Sequence, residues 1–297
     1  MVENVGSVIL RKENVEAAVK GFALQEYKIK NVVTVISSSS WKETYFQESS
    51  TELTGGTGNN IRGIPRLAAF PFGRVAWTKV SATIEKYGME GIVSYEDAIT
   101  DDIDAIGRTL LRISRGVVKS VEDQIYDVLS ESFNGGSGSQ TNINSVTAVI
   151  PWNSPIVSAV SGGFVFRDIN QAVRKIEVNN YDMDSGGVIL LSPTDYESMM
   201  NDVYRQGASA PKFGEMVLGK RKIPTIAGLG IIKSNSVTIS GALVLKMGDC
   251  ATWKAVTPLT TDTEYSPGIS WRIRAWELGV TQLINPKSIC IIIKTQA

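Results

Sequence analysis

The segment GEMVLGKR, Gly214–Arg221, comes within one residue of a phosphate-binding loop. In a true P-loop the lysine is followed by Ser or Thr, whose hydroxyl holds Mg²⁺ while backbone amides cradle the phosphates. Here Arg221 stands at that position, so the metal ligand is missing. The preceding ASAPKF is not a buried strand, and no helix signal follows. TGGTGNN, residues 54–60, is glycine-rich but lies outside any strand–turn–helix pattern, which reads as the tip of an arm rather than a phosphate cradle. YDMDSGG, residues 181–187, places Asp182 and Asp184 beside glycines but lacks the further acid and the closing Glu of a calcium loop. The acidic pairs Glu96–Asp97, Asp101–Asp102 and Glu122–Asp123 lack the cleft and paired geometry of a glycosidase. Charge at a helix start accounts for Asp101 and Asp102. Histidine is absent, which removes Ser-His-Asp and Cys-His catalysis and imidazole metal ligation together. Cys290, in SICIIIK, reads as a buried apolar thiol, and Cys250, in MGDCATW, as partly exposed. No cofactor, metal or enzymatic activity is expected.

The elements that would carry a different kind of function are more distinctive. The chain has 297 residues, 43% apolar and 20% charged, enough for one large or two moderate domains. Thirty basic and thirty acidic residues cancel, so no bulk charge draws it to nucleic acid or membrane. No apolar run reaches the length of a membrane span, and MVENVGSVILRKENVE is no signal peptide, so synthesis and assembly in a cytoplasm are expected.

From Asp101 to about Phe133 the sequence predicts one amphipathic helix of roughly thirty residues, far beyond the usual helix of about 11–12. Ile103, Ile106, Leu110, Ile113, Val117, Val121, Ile125 and Val128 recur at intervals of three and four. Arg108, Arg112, Arg115 and Lys119 form a stripe opposite that face, available to DNA, to solvent or to a neighbouring subunit. Gly107 and Gly116 weaken the helix, which points to close packing or a permitted bend. Glu122, Asp123, Asp127 and Glu131 oppose the helix dipole and predict cationic partners.

Ahead of this helix, residues 1–30 read as an arm. Asn14 caps a short helix bearing Val15, Ala18, Val19 and Phe22, too short to be stable without a surface to lie on. Strand patterns follow in NVVTVI, WKETYFQE and VAWTKVSATIEKY, the last over residues 75–87. The long excursion between the last two is uncommon in a compact domain unless it is functional or ordered by a partner. Its distal half carries Ile64, Leu67, Phe70 and Phe72 among Arg62, Arg66 and Arg74. Apolar anchors with arginines are what protein interfaces favour, so these residues are expected on a neighbouring subunit. Behind the helix comes an α/β section. Asp168 is expected to cap one helix there, and Ser192, Pro193 and Asp195 to start the next as a capping box.

The order of these parts resembles the HK97-fold major capsid proteins of tailed double-stranded DNA viruses. GIVSYEDAITDD resembles the entry to that family's spine helix, and GGVILLSPTDYESMM its strand–Pro–Asp-Tyr element. GLGIIKSNSV with GALVLKMGD, and WRIRAWELGVTQLINPKSICIII, are similar to its central strand pair and its closing strands. The resemblance spans about Val8 to Lys294. It implies an α+β fold with an N-terminal arm (1–35), an extended β-loop (36–86), a peripheral domain built on the spine helix (87–144 and 251–297) and an axial domain (145–250). It also implies assembly of pentamers and hexamers into an icosahedral shell around double-stranded DNA, contacted without sequence specificity. The implied partners are other copies of the chain, a portal protein, a separate scaffolding protein and a decoration or cement protein, with no membrane. The implied location is the virion, after assembly in the host cytoplasm. A nanocompartment shell of the encapsulin type, enclosing a cargo enzyme, stays open beside it. No local motif marks the Lys–Asn–Glu trio of a covalent cross-link.

Overall fold

The structure, a computed structural model, describes residues 12–48, 66–67, 77–100, 105–133, 141–154, 164–207 and 225–297. In chain order the first elements are α1 (Lys12–Glu26), β1 (Thr34–Ser37), β2 (Lys42–Glu48), β3 (Trp77–Thr83), β4 (Glu85–Ser94), α2 (Tyr95–Thr100) and α3 (Ala105–Leu129). They are followed by β5 (Asn144–Thr147), α4 (Phe164–Glu177), β6 (Gly187–Leu191), α5 (Pro193–Gly207), β7 (Thr225–Ile226) and β8 (Leu229–Lys233). The last are β9 (Gly241–Lys246), β10 (Ala251–Ser266), β11 (Ser270–Leu283) and β12 (Ile289–Ile293). The chain divides into two units. One comprises Met1–Glu43, Ala82–Tyr126 and Thr252–Gln282, and the other Thr44–Ser81, Asp127–Ala251 and Leu283–Ala297.

In the first unit, α3 lies against a four-stranded sheet of order β1-β10-β11-β4. Ile106, Leu110, Ile113, Val117, Val121 and Ile125 are buried as their spacing predicts, and Val118 and Tyr126 widen the face. Each such side chain is worth about 1.5–3 kcal/mol when removed from water. The helix is 25 residues long, shorter than the predicted span. Residues 101–104 lie outside the described segments, and the helix α2 precedes them. At the other end Glu131 and Ser132 turn left-handed, at φ 50° and 56°, and Ser132 N–H returns to Asp127 O at 2.6 Å, which stops the helix.

Gly116 does serve close packing: a Cβ there would strike Met89 Sδ on β4. Gly91 is the reciprocal case, since a Cβ would meet Ile113 Cδ1 and Thr109 Cγ2 at 2.7 Å. Each glycine thus makes room for side chains of the other element, Gly116 for Met89 and Gly91 for Ile113 and Thr109. A third tight position is Gly279 on β11, where a Cβ would sit 2.6 Å from Trp253 Cε2 and 2.8 Å from Lys254 O. Trp253 is fully buried and the carbonyl is backbone, so neither can give way. Gly279→Ala is expected to cost about 1–3 kcal/mol or more through overpacking, read as a lower urea midpoint at unchanged slope.

One expectation for this unit needs correction. The run 75–87 is not one strand. Pairing changes at Ile84, whose N–H goes to Trp41 O at 3.2 Å. Before it β3 pairs with β2, and after it β4 runs antiparallel to β11, Glu85 opposite Gly279 and Ser94 opposite Ser270. The polar run ATWKAVTPLTTDTEYS, with no clean alternation, forms β10, the 16-residue centre of the sheet, joined to β11 by a turn at Gly268. β1 pairs with its residues 252–255 and β11 flanks its other side, and this pairing overrides weak local propensity.

The second unit holds a mixed six-stranded sheet of order β5-β12-β9-β6-β8-β7. β6 is buried along its whole length, and β9 and β12 nearly so, hence their continuous apolar sequences. Val165, Ile169, Ala172 and Ile176 of α4 and Tyr196, Met199 and Met200 of α5 pack with Ile189, Leu191, Val244, Cys290 and Ile292 in one core. β7 and β8 form a tight hairpin through Ala227 and Gly228, both at positive φ. Asp168 is not a cap. α4 begins four residues earlier, at Phe164, which leaves Asp168 buried within its second turn.

Candidate intersubunit surfaces

The spine helix α3 presents Arg108, Arg112, Arg115 and Lys119 outward, all exposed. Spacings of four, three and four residues put them on one stripe. Arg115 Nε meets Glu26 Oε1 of α1 at 3.0 Å, so part of this face is engaged within the chain. Both partners are well exposed, and such a pair contributes about 1 kcal/mol at most.

The acidic end of α3 anchors a distant stretch of chain. Glu122 is buried, and its Oε1 accepts the backbone N–H groups of Lys28 and of Ile29, the latter at 2.7 Å. Two backbone donors thus reach this carboxylate. A second buried carboxylate, Glu277 of β11, completes the anchor. It accepts Tyr27 Oη at 2.6 Å and Trp253 Nε1 at 3.1 Å, and pairs with Lys30 Nζ. The Lys30 ammonium also lies 4.4 Å from the Tyr27 ring centroid. Burial, then the charge of Glu277, pushes the Tyr27 phenol above its usual range, so it stays a donor. Residues 27–30 are thus clamped between helix and sheet. Val15, Val19 and Ala23 of α1 are buried too, and Ser114 Oγ donates to Val19 O at 3.4 Å. The arm helix does lie on a surface, that of its own chain. It starts at Lys12, ahead of the predicted cap Asn14.

In the second unit, the β2–β3 ribbon is the stem of the long excursion. Gln47 Nε2 reaches Leu283 O at 3.3 Å, and Glu48 N–H donates to Ile284 O at 3.1 Å. Phe46 and Trp77 face each other with ring centroids 5.7 Å apart, and both are exposed. Of the residues predicted to touch a neighbour, Arg66 and Leu67 sit exposed in a turn, Leu67 at φ 67°. Arg62, Ile64, Phe70, Phe72 and Arg74 lie outside the described residues.

The remaining candidate groups resolve into structural roles. Ser192 Oγ accepts Asp195 N–H at 3.0 Å, the N-cap half of the expected capping box, and its hydroxyl donates to Asp195 Oδ2 at 2.5 Å in place of the reciprocal backbone bond. Asp195 Oδ1 also receives Thr295 Oγ1 at 2.6 Å and Gln296 Nε2 at 2.8 Å, so one buried carboxylate fastens the C-terminal residues to α5. Asp168 Oδ2 accepts Trp152 Nε1 at 3.2 Å, and burial raises its carboxyl above the usual range. Asp182 and Asp184 form a local turn, Asp184 N–H to Asp182 Oδ1 at 3.0 Å. Cys250, expected to be partly exposed, is buried like Cys290. Burial pushes both thiols up to about 12. Among the described residues no group of His, Cys, Asp and Glu could hold a metal ion, and no helix is long and apolar enough to cross a membrane. GEMVLGKR lies outside the described residues.

The family model described as phage capsid protein matches residues 77–292. The chain belongs to the phage capsid protein family. No curated protein sequence matches it. Solved structures match over nearly their full length at low identity. The capsid of the cyanophage P-SCSP1u is 11% identical with a TM-score of 0.64, over 90% of this chain and 88% of that one. Mycobacterium phage Che8 is 14% identical at 0.61, over 92% and 93%. A virus-like particle from Pyrococcus furiosus is 11% identical at 0.59, over 94% and 98%. This capsid protein has the α+β HK97-like fold and is a shell-forming, structural major capsid protein of the virion.

Proposed function

We propose that the shell built by this capsid protein encloses double-stranded DNA, and that it works by assembly, not catalysis. The family membership over residues 77–292 carries the reading. In this reading residues 1–35 serve as arm, 36–86 as extended loop, 87–144 with 251–297 as peripheral domain, and 145–250 as axial domain. Arg62, Ile64, Arg66, Leu67, Phe70, Phe72 and Arg74 reach a neighbouring copy, and pentamers and hexamers close the shell through many modest contacts. DNA enters through a portal protein, a separate scaffolding protein sets curvature, and a decoration protein binds outside. Assembly takes place in the host cytoplasm. Arg108, Arg112 and Lys119 form an exposed basic strip available to phosphate or to a neighbour.

The match to a virus-like particle from Pyrococcus furiosus supports a second reading, a nanocompartment around a protein cargo. The contents separate the two. Particles from the producing host, treated with nuclease and then opened, should release protected double-stranded DNA. A stoichiometric protein cargo with no nucleic acid would replace the first reading with the second.

A further inference from the structure

Five carboxylates are buried among the described residues, those of Glu122, Asp168, Asp195, Asp202 and Glu277. Glu122, Asp195 and Glu277 each receive at least two hydrogen-bond donors. Asp168 does not. Its Oδ2 takes the Trp152 indole N–H at 3.2 Å, while its Oδ1 is buried with no hydrogen bond. Arg167 Nη2 lies 3.6 Å from that oxygen, too far to donate, and half of the Arg167 side chain is in water. A buried carboxyl left short of donors is disfavoured as an anion and tolerated as an acid.

A second acid stands on the facing helix. Asp202 Oδ2 of α5 accepts Val165 N–H at 3.3 Å, and Val165 and Asp168 lie about one turn apart on α4. Burial raises the Asp168 carboxyl above its usual range; Trp152 and Arg167 oppose the rise, and the Asp202 charge adds to it. The strands of the same core bring Val146, Ile189, Val244 and Ile292, and Cys290, whose buried thiol stays neutral. Asp195, also on α5, is engaged by Ser192, Thr295 and Gln296. Among the described residues no third ligand completes a metal site, so a proton is the cation that suits this seam. Trp152 ties the seam to the C-terminal residues, its backbone N–H donating to Thr295 O at 2.7 Å.

We propose that Asp168 is a proton-operated latch between α4, α5 and the 151–154 turn. With a proton on Oδ1 the carboxyl gains a donor, and Asp202 is the acceptor across the seam. Without it, two like charges share a dry site, and the start of α4 loosens until water reaches the bare oxygen. Because the folded carboxyl lies above its unfolded range, the latch contributes fully below the ordinary Asp pKa of about 3.9. That contribution is lost as pH rises through the raised folded value. Inside this window, opening of the seam grows by up to about tenfold per pH unit, since one proton is released. The latch is independent of what the shell encloses.

Amide exchange of the full chain, expressed as protection factors, reads the latch directly. Residues 165–169 should lose protection as pH rises from about 5 to about 8, while β6 keeps its own. Asp168→Asn keeps an oxygen for Trp152 and puts an amide donor where Oδ1 stands. It should hold the acid level of protection at both ends of the range. If that variant does not fold, Asp202→Asn serves instead. It still accepts Val165 N–H but removes the like charge, so the loss of protection should become smaller and move to lower pH. Equal protection across the range in the parent chain, or an unchanged pH profile in either variant, would overturn the proposal.

Discussion

Glu277→Ala should be among the most destabilising single changes outside the apolar core, by about 3–5 kcal/mol. Glu277 is fully buried and receives three groups, Tyr27 Oη, Lys30 Nζ and Trp253 Nε1. Removing the carboxylate strands a largely buried ammonium, a phenol and an indole N–H at once, and each unpaired buried donor costs about 1–3 kcal/mol. These costs are not additive, because one relaxation can serve all three. Glu277→Gln keeps an acceptor of the same shape and should lose less. Lys30→Met in the Gln background should recover part of the loss, since no charge is then left alone. Urea unfolding followed by tryptophan fluorescence measures the series. Amide exchange over residues 27–33 should rise first, because the clamp holds that stretch against the sheet. Equal loss in the Ala and Gln variants would mean that packing, not charge, carries the anchor.

Deleting residues 52–74 should eliminate closed shells and leave soluble monomers or capsomers. The stem is secured independently of the tip: Glu48 and Gln47 bond to Ile284 and Leu283, and Phe46 packs with Trp77. The subunit should therefore stay folded, with a thermal transition close to that of the parent. Assembly depends on many contacts that are individually modest, so loss of one repeated contact is felt at every subunit. The readout is sedimentation together with electron microscopy. Normal closed shells from the deletion would remove the intersubunit role of Arg62, Ile64, Arg66, Leu67, Phe70, Phe72 and Arg74.

Much of this fold was legible because periodicity and capping chemistry are local. The buried positions of α3 followed from three- and four-residue spacing, and Ser192–Pro193–Asp195 announced the start of α5. The family was legible because four weak motifs occur in the right order. The parts that were not legible depend on partners distant in sequence. Glu122 and Glu277 look like surface acids until residues 27–30 are brought to them. Asp195 looks like a cap alone, yet it also holds Thr295 and Gln296. β10 has no alternation to announce it because its pairing with β1 and β11 decides its conformation. Asp168 was placed as a cap because the apolar residues before it, Phe164 to Phe166, do not resemble a helix start. Only the packing of Val165 against the sheet explains why the helix reaches back that far.

The most direct measurement is electron microscopy of particles assembled from the expressed full chain. Assembly through the arm, the ribbon and the spine helix predicts closed hollow shells of uniform diameter, with pentamers and hexamers visible on averaging. A folded chain that remains monomeric, or forms only open sheets and irregular aggregates, would contradict it.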